Sequence, residues 1–593
     1  MSSIITTLPR YSGTSLNGKW CYLVDQLDTG YLDHFGAPID EWGRNDTQRF
    51  AYFFDGHLEN PSEWVEYGFV EERSLDVPGD WNSQVKELFY YEGNLWYCKR
   101  FDLNKKDPVK RYFVQFGAVN YKSDVYLNGK KLGVHVGGYT GFSFEVTEYI
   151  KEGKNSLVVH VTNVRAKQNI PTLNQDWWNY GGITRDVNLY ETPAVFAEDF
   201  TLQLKNGEKS VLEFALKVNG TSLEQKIKLS IPELGLEKEF LTDKSGKLKE
   251  SFTISDLTLW SPENPKLYSV EITCAGKTIT DRIGFRSIKV IGTDILLNGK
   301  SVFLRGVCIH EENPIKGGRA NTVEEARMLL GWAKELNCNF VRLAHYPHNE
   351  QMIRVADEMG LLVWSEIPVY WGINWDNPST LENGLTQLTE NIMRDKNRAC
   401  VIIWSLANET VPGEARNSFL SKLADRAREL DSTRLISAAL EKHYLSDSPD
   451  TATVEDPFAE KCDVVSFNQY VGWYDGLPEK CSRVKWEIKY NKPIIISEFG
   501  GDALGGKHGK QSERWTEEFQ EELYKQNVSM LKKIPQLRGT APWILADFRS
   551  PKRLLPYILD GWNRKGLISQ QGEKKLAFNV MRSFYKELET QYK

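Results

Sequence analysis

The chain lacks a basic excess. Its 593 residues carry 74 Lys and Arg against 80 Asp and Glu, a formal net charge of −6. Nucleic-acid backbones are held by cationic surfaces, so nucleic acid is not an expected partner. The eight cysteines, Cys21, Cys98, Cys274, Cys308, Cys338, Cys400, Cys462 and Cys481, include no CxxC pair. That spacing argues against a zinc site or a disulfide framework, and neither metal nor cofactor is expected. Several lie inside apolar strand patterns, as reduced core cysteines do. No apolar run reaches the roughly 20 residues that span a bilayer. The N-terminal stretch MSSIITTLPR lacks the basic start and apolar run of a signal peptide. The expectation is a cytoplasmic protein with no membrane partner; a trimmed leader would make it secreted or periplasmic. No repeat of fixed period and no low-complexity linker appears.

Aromatic residues are abundant, with 18 Trp and 26 Tyr. They fill β-sandwich cores and also stack on sugar rings. Residues up to about 193 show short alternating patterns broken by turns, such as 111–120 and 124–136, with the hairpin pair Asn128-Gly129. This reads as a β-sandwich over 1–193. The patterns of 209–218 and 266–276 belong to a second sandwich over 194–288, of immunoglobulin-like length.

Residues 289–593 alternate strands with helices. The predicted strands are 301–309, 339–344, 361–366, 400–406, 434–440, 463–468, 493–498 and 540–548. The helical patterns include 322–336, 419–430 and 574–588. Eight such units make a (β/α)8 barrel, whose chemistry sits at the C-terminal rim of its strands. Glu409 follows predicted strand four and Glu498 ends strand seven. A Glu after a strand is commonly a rim ion-pair partner. Two converging on one rim are the minimal apparatus for cleaving a glycosidic bond.

The order of sandwich, immunoglobulin-like domain and barrel resembles glycoside hydrolase family 2, which contains β-galactosidases, β-mannosidases and β-glucuronidases. Asn408-Glu409 is similar to that family's acid/base motif, and Ser497–Gly500 (SEFG) to its nucleophile motif. The blocks 341–347, 466–474 and 542–548 resemble its β-glucuronidases, and the resemblance covers essentially the whole chain. It implies a jelly-roll, sugar-binding-like first domain and a retaining mechanism needing no cofactor. In such a mechanism the carboxyl groups stand roughly 5 Å apart. Glu498 then attacks as the carboxylate, and Glu409 acts as acid, then base, with its pKa raised. Asn408 is implied to bond the sugar 2-hydroxyl.

Asn563 and Lys565, in DGWNRKGLI, match the Asn-x-Lys motif of β-glucuronidases. A uronate carboxylate suits an ammonium and an amide donor. A neutral sugar would leave that ammonium unpaired. Read without the resemblance, Asn-Arg-Lys-Gly is ordinary turn chemistry. Many β-glucuronidases carry an arginine shortly before the motif; residues 555–563 carry none. Asp176 matches an acidic residue that the first domain pushes into the barrel mouth, bonding either a sugar hydroxyl or turn amides. His345 is implied to lie against the substrate. Tyr470, Tyr474 and Trp543 are expected to wall the pocket, or to be rim packing. His310 and Glu311 follow strand one and are weaker candidates. The segment 368–384 after strand three is short, which suggests an open mouth. The expected partner is a small-molecule or oligosaccharide glycoside, and self-association into a homo-oligomer is compatible with the sequence. β-Galacturonides, neutral β-glycosides and a carbohydrate-binding role without turnover are the alternatives.

Overall fold

The structure, a computed structural model, describes residues 4–32, 51–55, 67–221 and 223–592. Residues 1–3, 33–50 and 56–66 of the expected first domain lie outside the described residues. The first domain packs a six-stranded antiparallel sheet against a four-stranded one. Trp20, Trp81, Tyr97, Phe116 and Val159 lie in the core between them. Asn128 and Gly129 join Lys122–Leu127 to Lys130–Val136 with φ of 52° and 77°. Both positive angles are what a two-residue type I′ turn requires.

The second domain is a sandwich of three-stranded and four-stranded sheets. Its strand Val211–Asn219 buries every second residue, the period-2 pattern of a sheet with one wet face.

The third domain is the expected parallel barrel. Strand four, Val401–Asn408, is buried at every position, as a strand packed on both faces must be. Two boundaries differ from expectation. Strand one is split into Leu304–Arg305, paired with strand eight, and Cys308–Ile309, paired with strand two, so the ring closes on one segment. Gly306 lies at the break, where a Cβ would come within 2.3 Å of the Phe340 ring. Strand eight is Leu537–Thr540, upstream of the predicted 540–548. The apolar stretch after Thr540 runs on as irregular backbone, bridging Ile568 at Ala546 before Phe548–Arg549 pairs with Trp562–Asn563. Helices wrap the sheet. Val323–Glu335 starts with a reciprocal Thr322/Glu325 capping box.

The sandwiches are tied firmly to the barrel. Trp177 of the first domain joins the barrel's apolar core and donates its indole N–H to the Tyr139 hydroxyl at 3.0 Å. Arg185 pairs with Glu311 and donates to the Pro347 carbonyl at 2.6 Å. Trp260 of the second domain donates to the Asp357 carbonyl at 2.9 Å, and Arg286 to the Ala399 carbonyl at 3.0 Å. The first-domain contacts hold the loop around residue 176 against the barrel, where Asp176 meets Arg553. No helix among the described residues is long and apolar enough to cross a membrane.

Candidate active site

The site is built around Arg342, on strand two (Phe340–Leu343) and wholly buried. Its guanidinium donates to Glu498 Oε1 at 2.7 Å and to the Ser497 carbonyl at 3.0 Å. It also donates to Asn408 Oδ1 at 2.7 Å and to both Glu366 oxygens at 3.1 and 3.2 Å. A buried cation needs such partners, because burial alone disfavours its charge. Against that burial, Glu366 and Glu498 hold the Arg342 pKa well above its ordinary value.

Three glutamates end or follow barrel strands here, and their surroundings separate them. Glu366 ends strand three and accepts from Arg342, His345 Nδ1 (2.8 Å) and the Trp364 indole (2.7 Å). Burial would raise its pKa, but Arg342 and His345 outweigh it and hold the carboxyl down at about 2. Glu498, the last residue of Ile494–Glu498, accepts from Arg342 and from the Tyr470 hydroxyl at 2.6 Å. Among the described residues Glu409 meets no cation, and its oxygens accept only from the Asn468 amide at 2.8 Å and the Trp371 indole at 2.7 Å. Burial, and then repulsion from Glu498, raise it to about 7. Glu409 and Trp371 both hold left-handed backbone, with φ of 49° and 54°, which is uncommon outside glycine. The site thus sets one glutamate whose pKa is raised beside another clamped by donors.

The other expected residues gather on the same rim. Asn408 accepts from Arg342 and Asn468, while its own amide N–H group is buried without a protein partner, free for a ligand oxygen. His345 stacks on Trp543 at 4.7 Å and brings Nε2 within 3.7 Å of Glu498. Lys565 lies on the far wall, where the expectation of an unpaired ammonium fails. Its Nζ is 2.6 Å from Asp502 and donates to the Tyr474 hydroxyl at 2.9 Å. The pocket therefore carries its own counter-ion. Asn563 orders the turn by accepting from the Lys565 amide at 3.1 Å, and reaches Asp176 at 3.5 Å. Asp176 does enter the mouth, but turn amides are not its partners. It accepts from Ser550 at 2.5 Å and pairs with Arg553. Arg553 also donates to the Tyr474 hydroxyl at 2.9 Å. An arginine absent from 555–563 thus arrives from two residues upstream. His310 bonds the Tyr346 hydroxyl and packs against His345 and Trp543, and Glu311 pairs with the Arg185 guanidinium.

Sequence reasoning missed Arg342, Glu366, Trp371, Asn468, Asp502 and Arg553. Three of these carried a readable signal. Arg342, Glu366 and Asn468 are charged or amide residues on strands buried at every position, a combination needing buried partners.

Residues 288–590 match the TIM barrel domain of glycosyl hydrolases family 2. Residues 42–193 match its sugar binding domain and 194–286 a further family 2 domain. The chain belongs to glycosyl hydrolase family 2. Among family 2 relatives, a putative beta-glucuronidase of Formosa agariphila is 30% identical over 569 residues, covering 86% of this chain and 66% of that protein. A beta-glucuronidase of Paenibacillus borealis is 28% identical, covering 89% and 94%. The solved structure of an uncultured Clostridium sp. beta-glucuronidase superposes with a TM-score of 0.82 at 26% identity, covering 98% of each chain. Family 2 membership makes the protein a glycosidase, not a binding protein without turnover.

The Arg342–Glu366 pair is testable apart from activity. The folded-state pKa of Glu366, about 2, lies below its ordinary 4.5. Its stabilising contribution is full above pH 4.5 and is lost as pH falls through 2. Glu366→Gln should therefore be less stable than wild type at pH 7, with the gap narrowing toward pH 2. Urea unfolding across that range measures it, and a gap independent of pH would contradict the assignment.

Proposed function

We propose that this protein is an exo-acting, retaining β-glucuronidase that cleaves terminal β-D-glucuronides by double displacement. Glu498 attacks the anomeric carbon while Glu409 protonates the departing oxygen. Glu409, now the carboxylate, takes a proton from water, which displaces Glu498 from the glycosyl ester with a second inversion. The Asn408 amide donates to the sugar 2-hydroxyl. The contrast between a clamped Glu498 and a cation-free Glu409 supports this division of roles.

The observation that carries the uronate reading is the convergence of two cations on one phenol. Lys565 and Arg553 both donate to the Tyr474 hydroxyl at 2.9 Å. The hydroxyl's own proton then points to neither of them. Lys565 has three donor hydrogens, and Asp502 and Tyr474 use two. A carboxylate at C6 of the sugar meets the third ammonium hydrogen, the phenol proton and the Asn563 amide. Asp502 and Asp176 keep the two cations compensated when the pocket is empty, so the preference for a uronate is a difference between sugars. The relatives named beta-glucuronidase agree with this reading.

Lys565→Ala tests it. The variant loses a charge-assisted hydrogen bond, worth about 1.5–3 kcal/mol, and leaves Asp502 facing the substrate carboxylate. kcat/KM on 4-nitrophenyl β-glucuronide should fall at least tenfold more than on the matching glucoside. Equal falls would make Lys565 structural. A wild type that prefers the glucoside, galactoside or galacturonide in the same panel would replace the glucuronidase reading.

The pH profile tests the acid. Glycosyl transfer to the enzyme needs Glu409 protonated, so kcat/KM should decline as pH rises past about 7. The Trp371 indole favours the ionised form. Trp371→Phe should move that alkaline limb to higher pH, and an unmoved limb would contradict the assignment.

A further inference from the structure

We infer that Lys552 and Trp371 form a leaving-group subsite that favours glycosides whose departing portion carries a carboxylate or sulfate. This rests on the proposed roles of Glu409 and Glu498, which fix the two sides of the scissile bond. Glu498, Tyr470, His345 and Asn408 surround the sugar that is retained. The acid must touch the departing oxygen, so whatever braces the acid from outside borders the departing group. That brace is Trp371, whose indole N–H donates to Glu409 Oε2 at 2.7 Å.

Tyr370 packs against the Trp371 ring at 4.5 Å between centroids. The Lys552 ammonium lies 4.3 Å from the ring centre. The leaving group therefore meets an ammonium held against an indole. Lys552 is solvent-exposed, and its Nζ donates to the Asn174 side-chain carbonyl at 2.9 Å. Among the described residues it has no ion-pair partner, whereas its neighbour Arg553 is compensated by Asp176 and Lys565 by Asp502.

Three segments build this rim, and they support one another. The Thr172 hydroxyl donates to the Gly372 carbonyl at 2.7 Å, joining the first-domain loop to the loop after barrel strand three. Lys552–Asn174 and Arg553–Asp176 join the same first-domain loop to the loop that follows strand eight. An unpaired ammonium held by a neutral amide and an aromatic face retains its attraction for an anion, at the cost of little desolvation. Its position against the indole that braces the acid assigns that anion to the departing group.

The test is a ratio of ratios. kcat/KM is measured for 4-carboxyphenyl and 4-carbamoylphenyl β-glucuronide, and for a glucuronyl disaccharide with and without a sulfate on its second sugar. The same aryl pair is made as glucosides. Comparing variants within each pair cancels differences in leaving-group chemistry. Lys552→Gln and Lys552→Ala should each lower the anionic-to-neutral ratio at least fivefold, while Lys552→Arg retains it. The loss should shrink as salt rises. An effect on the aryl pair alone would mark small acidic aglycones as the source, and an effect on the disaccharide pair an acidic glycan. Ratios unchanged by Lys552 in both pairs would overturn the inference. A wild type inert on glucuronides but active on the glucosides would overturn the uronate reading instead, and the glucoside pair would still decide the role of Lys552.

Discussion

The wholly buried guanidinium of Arg342, shared between Glu366 and Glu498, is the interaction on which the rest of the site depends. A buried arginine with one carboxylate would be balanced and inert. With two, it consumes one and holds the other in place. Glu366 is the consumed partner, kept as a permanent anion at the base of the site. Glu498 gains a fixed position from the Arg342 hydrogen bond, and Tyr470 supplies a further donor. Arg342 also fixes Asn408 through its side-chain oxygen, which turns the amide N–H group outward. One side chain on strand two thereby orients residues from strands three, four and seven.

Glu409 works because it stands outside that arrangement. It is the next residue after Asn408, yet its left-handed backbone carries the carboxyl away from Arg342, toward Trp371 and Asn468. Two neutral donors do not offset burial and the nearby Glu498, so its pKa is raised to about 7. The sandwiches contribute directly to the mouth. Trp177 and Arg185 hold the first-domain loop down on the rim, and Asp176 on that loop fixes Arg553. The proposed substrate-binding residues are thus divided between barrel and first domain, while Glu409 and Glu498, the proposed catalytic pair, belong to the barrel alone.

The architecture was legible because apolar periodicity is local: period 2 in the sandwiches, buried runs and helical stripes in the barrel. Glu409 and Glu498 stood out as carboxylates closing such runs. Glu366 has the same signature, and its separate role shows only in its partners in the closed ring, a bidentate Arg342, His345 Nδ1 and the Trp364 indole. Strand eight was misplaced because its residues, LRGT, pattern poorly, whereas the apolar segment after it packs without a ladder. Arg553 and Trp371 escaped notice because they sit on irregular loops, whose course no periodicity reports. The pairing of Lys565 with Asp502 was invisible for a related reason. Asp502 comes from the loop after strand seven and Lys565 from the turn after strand eight, and the barrel makes them neighbours.

The central claim is that Glu498, and neither Glu366 nor Glu409, forms the covalent bond to the sugar. The most direct measurement is intact-protein and peptide mass spectrometry after reaction with 2-deoxy-2-fluoro-β-glucuronyl fluoride, whose slowed second step lets the glycosyl ester accumulate. The account predicts one fluoroglucuronyl group per chain, carried on Glu498, with faster loss of activity than the fluoroglucosyl analogue gives. A label on Glu366 or Glu409, or steady turnover of the reagent with direct inversion and no adduct, would contradict it.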